Sequence, residues 1–466
     1  MAYETVNPFT EKRVKSFRQH TDAELEACIR RAHEAFQGDW RQRSFASRRT
    51  VLKKAASILR ERQDDFARLI TLEMGKLIGE AQGEVQLSAG ILDYYADHAA
   101  EFLAPRRLTV DGGEAVIESE PLGVLLCIEP WNFPYYQLAR VAGPQLMAGN
   151  TLLAKHAPSV PQCALAFEQL FREGGAPPGV YTNVFLSNEQ AAIAIADPRV
   201  RGVALTGSER AGAAVASEAG RALKKIVLEL GGSDAFIMLD DADLETAVKE
   251  GVWGRMQNTG QCCLGSKRFI LHEKIADAFL ARFTEELKEL VSGDPMDPKT
   301  TLGPLCSAGA LDLVLKQIKT AVDHGAKVLL GGKRLDRTGF FLEPTILTDV
   351  RPGNPVYYQE FFAPVSLIFR AKDEDEAIRL ANDSPFGLGG AVITRDVERG
   401  KRVARRIETG MVFINQCSWS APELPFGGVK NSGYGRELSE LGINEFVNKK
   451  LIRVGGLDPR LAHIDK

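Results

Sequence analysis

The sequence has no basic surplus: 58 lysines and arginines face 61 aspartates and glutamates, a formal net charge of -3. Nucleic acid and anionic membrane surfaces are recognised by concentrated positive charge, so neither is expected as a main partner. No apolar run approaches the roughly 18 residues of a membrane span; residues 122–128 are among the longest and are strand-sized. The N-terminal residues, with Glu4 and Asn7, lack a basic stretch followed by an apolar one, so no secretory signal is evident. Cysteine is scarce, 7 in 466 residues, and no Cys-x-x-Cys pair occurs. That excludes a disulfide framework, and with seven scattered histidines no metal site is implied. Repeats and low-complexity stretches are lacking too. These absences lead to the expectation of a cytoplasmic protein in reducing surroundings.

What is present is an ordinary globular balance, 44% hydrophobic and 26% charged, in a chain too long for one core. Thr21-Asp-Ala-Glu24 is a capping box that opens a helix to about Phe36. Helical periodicity continues from Ser47 to about Met74 and from Leu77 to Phe102, an all-helical start. Residues 108–119 then read as strand, tight turn at Asp111-Gly112-Gly113, strand. From Gly123 onward apolar strands alternate with helices of 10 to 15 residues, once up to Glu229 and again after it. Such alternation predicts parallel sheets built from βαβ units. The expected fold class is α/β, with two open-sheet domains divided near Gly231-Gly232.

Ligands of open α/β sheets bind at the carboxyl ends of strands. Asn132, Lys155, Gly207-Ser208 and Glu229 all fall at such ends. Gly260-Gln-Cys-Cys263 lies between a predicted helix and strand; a thiol there is a nucleophile if amides or a cation lower its pKa, and otherwise a small buried residue. Glu229-Leu-Gly-Gly232 offers a carboxylate that is either a general base in an apolar cleft or a solvated loop side chain. The amides of Thr206-Gly-Ser-Glu-Arg-Ala-Gly212 have the setting to bind a pyrophosphate at a helix N-terminus, yet the motif is no standard fingerprint. Lys155 suits ribose or phosphate, or is merely a surface charge.

Taken in order, Pro130-Trp-Asn-Phe-Pro134, Glu229-Leu-Gly-Gly232, Asn258-Thr-Gly-Gln-Cys-Cys263, Gln359-Glu-Phe-Phe-Ala-Pro-Val365 and Pro425-Phe-Gly-Gly428 resemble the signatures of the aldehyde dehydrogenase superfamily. The resemblance runs from Val6-Asn-Pro to Ser432-Gly-Tyr-Gly-Arg436. It implies a Rossmann-like nucleotide-binding domain (1–106 and 121–230), a catalytic domain (231–432) and an oligomerisation arm (107–120 and 445–456). It implies Cys263, not Cys262, as nucleophile, Asn132 and the Cys263 N–H as oxyanion donors, and Glu229 as the base that activates water. For NAD or NADP it implies contacts from Ile128, Pro130, Trp131, Lys155, Gly207, Ser208, Glu360 and Phe362. Homodimers or homotetramers are usual in such a family.

Three departures stand out. Pro158 occupies a position where NAD-preferring members often carry Glu, which leaves the nucleotide preference open. Ala363 replaces a glycine. Cys262 adjoins the nucleophile, either as a passive neighbour or as a partner for oxidation. Arg140, eight residues after Asn132, matches the arginine with which succinate-semialdehyde dehydrogenases hold the substrate carboxylate; a structural ion pair is the alternative. A second such arginine is replaced by Gln257, as in a bacterial branch of these enzymes. Phe133 and Trp419 are expected as walls of the substrate tunnel. The small-molecule aldehyde expected is succinate semialdehyde, with a broad-specificity aldehyde dehydrogenase as the rival. Glu229 argues against a CoA-acylating enzyme, and Cys263 with Glu229 against a non-catalytic crystallin-like role.

Overall fold

The computed structural model describes residues 3–111 and 113–455. Gly112 of the expected turn and residue 456 of the expected arm lie outside them. The described residues form two large open sheets and three small ones. The first large sheet runs in the order Gly433–Tyr434, Lys225–Glu229, Val200–Thr206, Val124–Glu129, Thr151–His156, Tyr181–Asn183. All its neighbours are parallel except Gly433–Tyr434, which returns antiparallel to Lys225–Glu229. The second has seven strands, with Asp234–Met238 between Ser266–His272 and Gly390–Ile393. Its neighbours too are parallel, save the outer pair Lys327–Leu330 and Thr345–Thr348.

The strand Val124–Glu129 shows why these strands sit mid-sheet. Its Val-Leu-Leu-Cys-Ile run has no polar face, so helices must cover both sides. Leu126 packs with Leu25 and Ile29 of the N-terminal helix, while Leu125 and Cys127 join Leu138 and Ala142 on the other side. The capping box of Thr21 and Glu24 starts that helix, Asp22–Gly38, as its sequence foretells.

Three local expectations are corrected. The start is not all-helical: Tyr3–Val6 pairs antiparallel with Arg13–Phe17, and the side chain of Asn7 accepts from Phe9 N at 2.9 Å to make the turn between them. The long helix from Ser47 is two, Phe45–Glu61 and Gln63–Met74, broken where Arg62 leaves helical geometry (φ -115°, ψ 33°). The first arm strand is Arg106–Leu108, ending where the sequence has it begin, and the next is Glu114–Pro121. Val447–Val454 adds a third antiparallel strand to that pair. Among the described residues no helix is long and apolar enough to cross a membrane. No group of three His, Cys, Asp or Glu side chains among them is placed to hold a metal.

Candidate active site

Asn132 follows the strand Val124–Glu129 and precedes the helix Pro134–Ala148. That helix starts with proline at its first position and no capping side chain of its own. Glu84, from another helix, supplies the missing acceptor: its carboxylate takes Tyr135 N at 2.8 Å and Tyr136 N at 3.2 Å, where a helix end favours negative charge. The buried ammonium of Lys76 pairs with Glu84 and donates to Asn132 O at 2.9 Å. The Asn132 side-chain amide donates to Gln261 O at 3.1 Å, which ties it to the loop carrying Cys263.

That loop is bent by unusual backbone. Asn258 and Thr259 sit at φ 51° and 55°, and Gly260 at φ 73°, where an added Cβ would lie 2.4 Å from Ala363 carbonyl atoms. A β-branched residue in the left-handed region costs on the order of 1–3 kcal/mol. The cost is offset by ties on every side: Asn258 N donates to Glu80 at 2.9 Å, Asn258 Nδ2 to Asn132 O at 2.9 Å, and Gln261 takes Cys306 N at 2.9 Å. Cys262 is buried and Cys263 part-exposed, and both thiols are free. The adjacent Cys262 and then burial push the Cys263 thiol well up, while Arg140 and Lys267 oppose the rise.

Glu229 ends its strand with a carboxylate that is 1% exposed and has no hydrogen-bond partner on either oxygen. Burial first, then the charge of Glu437, raise it well above the ordinary 4.5; Arg140 and Arg436 pull it down, and Glu129 adds to the rise. The register explains the grouping. Thr206 pairs with Glu229, and Ile128 with Leu205, so Glu129, Thr206 and Glu229 stand at three adjacent strand ends on one face. The backbone behind Glu229 stays close to Cys263: a Cβ at Gly232 would lie 2.7 Å from Cys263 O.

Arg140 lies on that face, 1% exposed. Its guanidinium pairs with Glu437, donates to Thr206 Oγ1 at 2.9 Å and Tyr136 Oη at 3.4 Å, and lies 4.3 Å over the Phe426 ring. The guanidinium thus sits in the structural ion pair weighed as the alternative, with Glu437 from far along the chain, and these contacts engage only part of its five N–H groups. The hydroxyls that do face one another in front of it are Tyr136 and Ser420, 2.6 Å apart. Phe133 packs under Lys76 (3.7 Å to the ring centre) and edge-on to Tyr136. Gln257 opens the bent turn Gln257–Gly260, and Trp419 is 51% exposed beside Ser420.

On the opposite face of the first sheet lies a cleft of about 250 Å³ lined by Ile128, Lys155, Leu205, Arg210 and Val215. Lys155 is 7% exposed, its pKa lowered by burial, and its ammonium makes no hydrogen bond or ion pair with another described residue. Gly207 N is taken by Glu229 O at 2.9 Å, and Ser208 caps the helix Glu209–Arg221 by accepting from Ala211 N. Pro130 and Trp131 lead from this cleft toward Asn132, and Trp131 meets Phe362 edge-on at 5.7 Å. Glu360 accepts from Gly232 N at 3.2 Å and pairs with Lys267 at 3.0 Å. An uncompensated ammonium lining a cleft beside the carboxyl ends of parallel strands fits the ribose or phosphate of a nucleotide.

The pattern of the aldehyde dehydrogenase family matches residues 1–452. The chain belongs to that family. Succinate-semialdehyde dehydrogenase [NADP(+)] of Deinococcus radiodurans is 51% identical to this aldehyde dehydrogenase over 451 residues, 97% of this chain and 94% of the relative. A probable succinate-semialdehyde dehydrogenase [NADP(+)] of Synechocystis is 46% identical, covering 97% and 99%. The crystal structure of succinic semialdehyde dehydrogenase from Streptococcus pyogenes, in complex with NADP+, superposes with a TM-score of 0.96 at 50% identity, covering 98% and 100%.

Reading the sequence alone missed Lys267, Glu129, Glu437, Tyr136 and Ser420. Glu129 carried a signal, a charged residue closing an otherwise apolar strand. Lys267 carried none, since it stands beside Arg268 in what reads as an ordinary basic pair.

Proposed function

We propose that this chain oxidises succinate semialdehyde to succinate with NADP, by way of a thioester on Cys263. The observation that carries the reading is the meeting of the Cys263 loop with Asn132 through Gln261 O, while Glu229 stands buried and unpaired at another strand end of the same sheet. Cys263 adds as thiolate to the aldehyde carbon, and Asn132 Nδ2 with the Cys263 N–H holds the resulting oxyanion. A nucleotide held here would supply the hydride acceptor; with the hydride gone from that carbon, Cys263 carries a thioester. Glu229 then takes a proton from water as the water oxygen attacks the thioester; succinate departs and the thiolate returns. For this step the carboxyl must be ionised, and burial makes it a stronger base than a surface glutamate.

Ile128, Lys155, Gly207, Ser208, Glu360 and Phe362 are the residues that would hold the nucleotide. Preference for NADP is supported by Lys155 and Arg210 lining the cleft, by Pro158 in place of an acidic side chain, and by the names of the relatives. For the substrate carboxylate we assign Tyr136 and Ser420, with Arg140 acting behind them through Tyr136. The sequestration of Arg140 favours a second reading, a broad-specificity enzyme that takes neutral aldehydes as readily. We also infer assembly into a homodimer or homotetramer through the arm, whose strand Val447–Val454 leaves Leu451, Ile452 and Val454 exposed at its edge.

Initial rates with succinate semialdehyde and with butanal, each with NADP and with NAD, test these readings together. The expected outcome is at least a tenfold higher kcat/KM for the charged aldehyde with NADP, most of it lost in Ser420→Ala. Ser420 is the better probe, because Arg140→Ala would leave Glu437 buried without its partner at a cost of about 3–5 kcal/mol. Equal rates for the two aldehydes would overturn the substrate assignment and establish the broad-specificity reading.

A further inference from the structure

Lys267 is the fourth residue after the nucleophile, at the start of the strand Ser266–His272, and its side chain is 0% exposed. A buried ammonium has three protons to place and a charge to balance. Here the three acceptors are Cys262 O at 2.7 Å, Cys263 O at 2.8 Å and Glu360 Oε1 at 3.0 Å. The first of these has a directional consequence. In a trans peptide the carbonyl of one residue and the N–H of the next point to opposite sides, and no cis bond occurs among the described residues. With the Cys262 carbonyl drawn down onto Lys267, the Cys263 N–H must point away from it. A cation on the carbonyl also polarises the peptide, which makes its N–H a stronger donor.

We propose that Lys267 is the positioning residue of the oxyanion hole: it aims the Cys263 N–H at the reacting carbonyl. Through its third bond it links that peptide to Glu360 on the nucleotide side. The inference rests on Cys263 being the nucleophile, but not on which aldehyde or nucleotide the enzyme prefers. Asn132 reaches the same site from the first sheet, so the hole is assembled from both sheets and Lys267 secures the second half. The side chain does not touch substrate; it acts through the peptide that does.

The test uses the whole enzyme and two reactions of the same sulfur. In the first, Cys263 thiolate attacks p-nitrophenyl acetate, p-nitrophenolate leaves and an acetyl thioester remains; this needs the oxyanion hole but neither nucleotide nor aldehyde. In the second, iodoacetamide alkylates the thiolate with loss of iodide, and no oxyanion forms. Lys267→Met keeps the length of the side chain and removes its donors. Loss of a well-placed oxyanion donor costs roughly 10²–10³ in rate, and a misaimed one is expected to lose about 10–100-fold in the p-nitrophenolate burst. Alkylation at a pH where the thiol is ionised should stay within about threefold of wild type. Equal loss in both reactions would show a general disturbance of the loop and overturn the proposal, as would an unchanged burst. Should the Met variant fail to fold, Lys267→Gln, which retains one donor pair, takes its place: an intermediate burst supports the aiming role, and a wild-type burst refutes it. Cys263→Ser must abolish both reactions. If it does so while no aldehyde is oxidised by the wild type, the substrate assignment has failed and the Lys267 comparison still stands.

Discussion

The backbone around Cys263 is tied down by Asn258, Gln261 and Lys267, whereas the carboxylate of Glu229 has no hydrogen-bond partner at all. Both groups are held by the sheet framework, yet the tasks proposed for them, nucleophile for Cys263 and base for Glu229, are opposite. A nucleophile must meet a carbon along one line of attack, so its loop is fixed at the expense of backbone strain. A base must exchange a proton with passing water, so an acceptor already satisfied by the protein would be a weaker one. The difference teaches that the same degree of burial serves rigidity in one place and reactivity in the other.

Removing the base should separate the two halves most sharply. In Glu229→Gln the first turnover, with its hydride burst, is expected to persist while steady-state turnover falls about 10²–10⁴-fold. Stopped-flow absorbance and the mass of the trapped thioester read this directly; loss of the burst along with turnover would mean that Glu229 serves the nucleophile as well. In the wild type, steady-state turnover should fall as pH drops through the raised value of Glu229, with that limb above the ordinary 4.5.

The fixed half is broken at Gly260. Gly260→Ala places a methyl against Ala363 in a left-handed backbone and is expected to cost about 1–3 kcal/mol in denaturant unfolding. An unchanged midpoint would show that the loop yields more readily than its hydrogen bonds suggest. The smallest effect is expected on the unsatisfied side, at Glu129. Its carboxyl is raised well above 4.5, by burial first and then by Glu437. A raised carboxyl contributes stability that is present below its unfolded value and lost as pH rises through the folded one. Glu129→Gln should therefore melt near the wild-type temperature at pH 4 and at least roughly 2 °C above it at pH 8. It should also move the acid limb of turnover to lower pH, since Glu129 contributes to the rise at Glu229. Identical melting at both pH values would mean that Arg140 already compensates Glu129.

Much of this site could be read before any coordinates. Asn132, Lys155, Gly207 and Glu229 follow apolar strands that alternate with helices, and local periodicity is enough to find strand ends. The order of the five motifs placed the rest of the expected constellation. What could not be read depends on partners distant in the chain. Arg140 is bound to Glu437, and Lys267 is buried only because Glu360 arrives from another strand connection to balance it. Lysine and arginine are surface residues by habit, so their burial is a property of the assembled fold. The N-terminal strand pair escaped notice for a related reason: Arg13–Phe17 is exposed along most of its length and lacks an apolar face.

The bond from Gly207 N to Glu229 O makes the turn proposed to meet the nucleotide and the strand of the proposed base a single mechanical unit. Anyone wishing to retune the coenzyme by remodelling that turn would loosen the rung that carries the Glu229 carboxylate. Lys155 and Arg210 are safer handles. They line the cleft and take no part in that bond, so exchanging them alters what the pocket welcomes and leaves the rung intact.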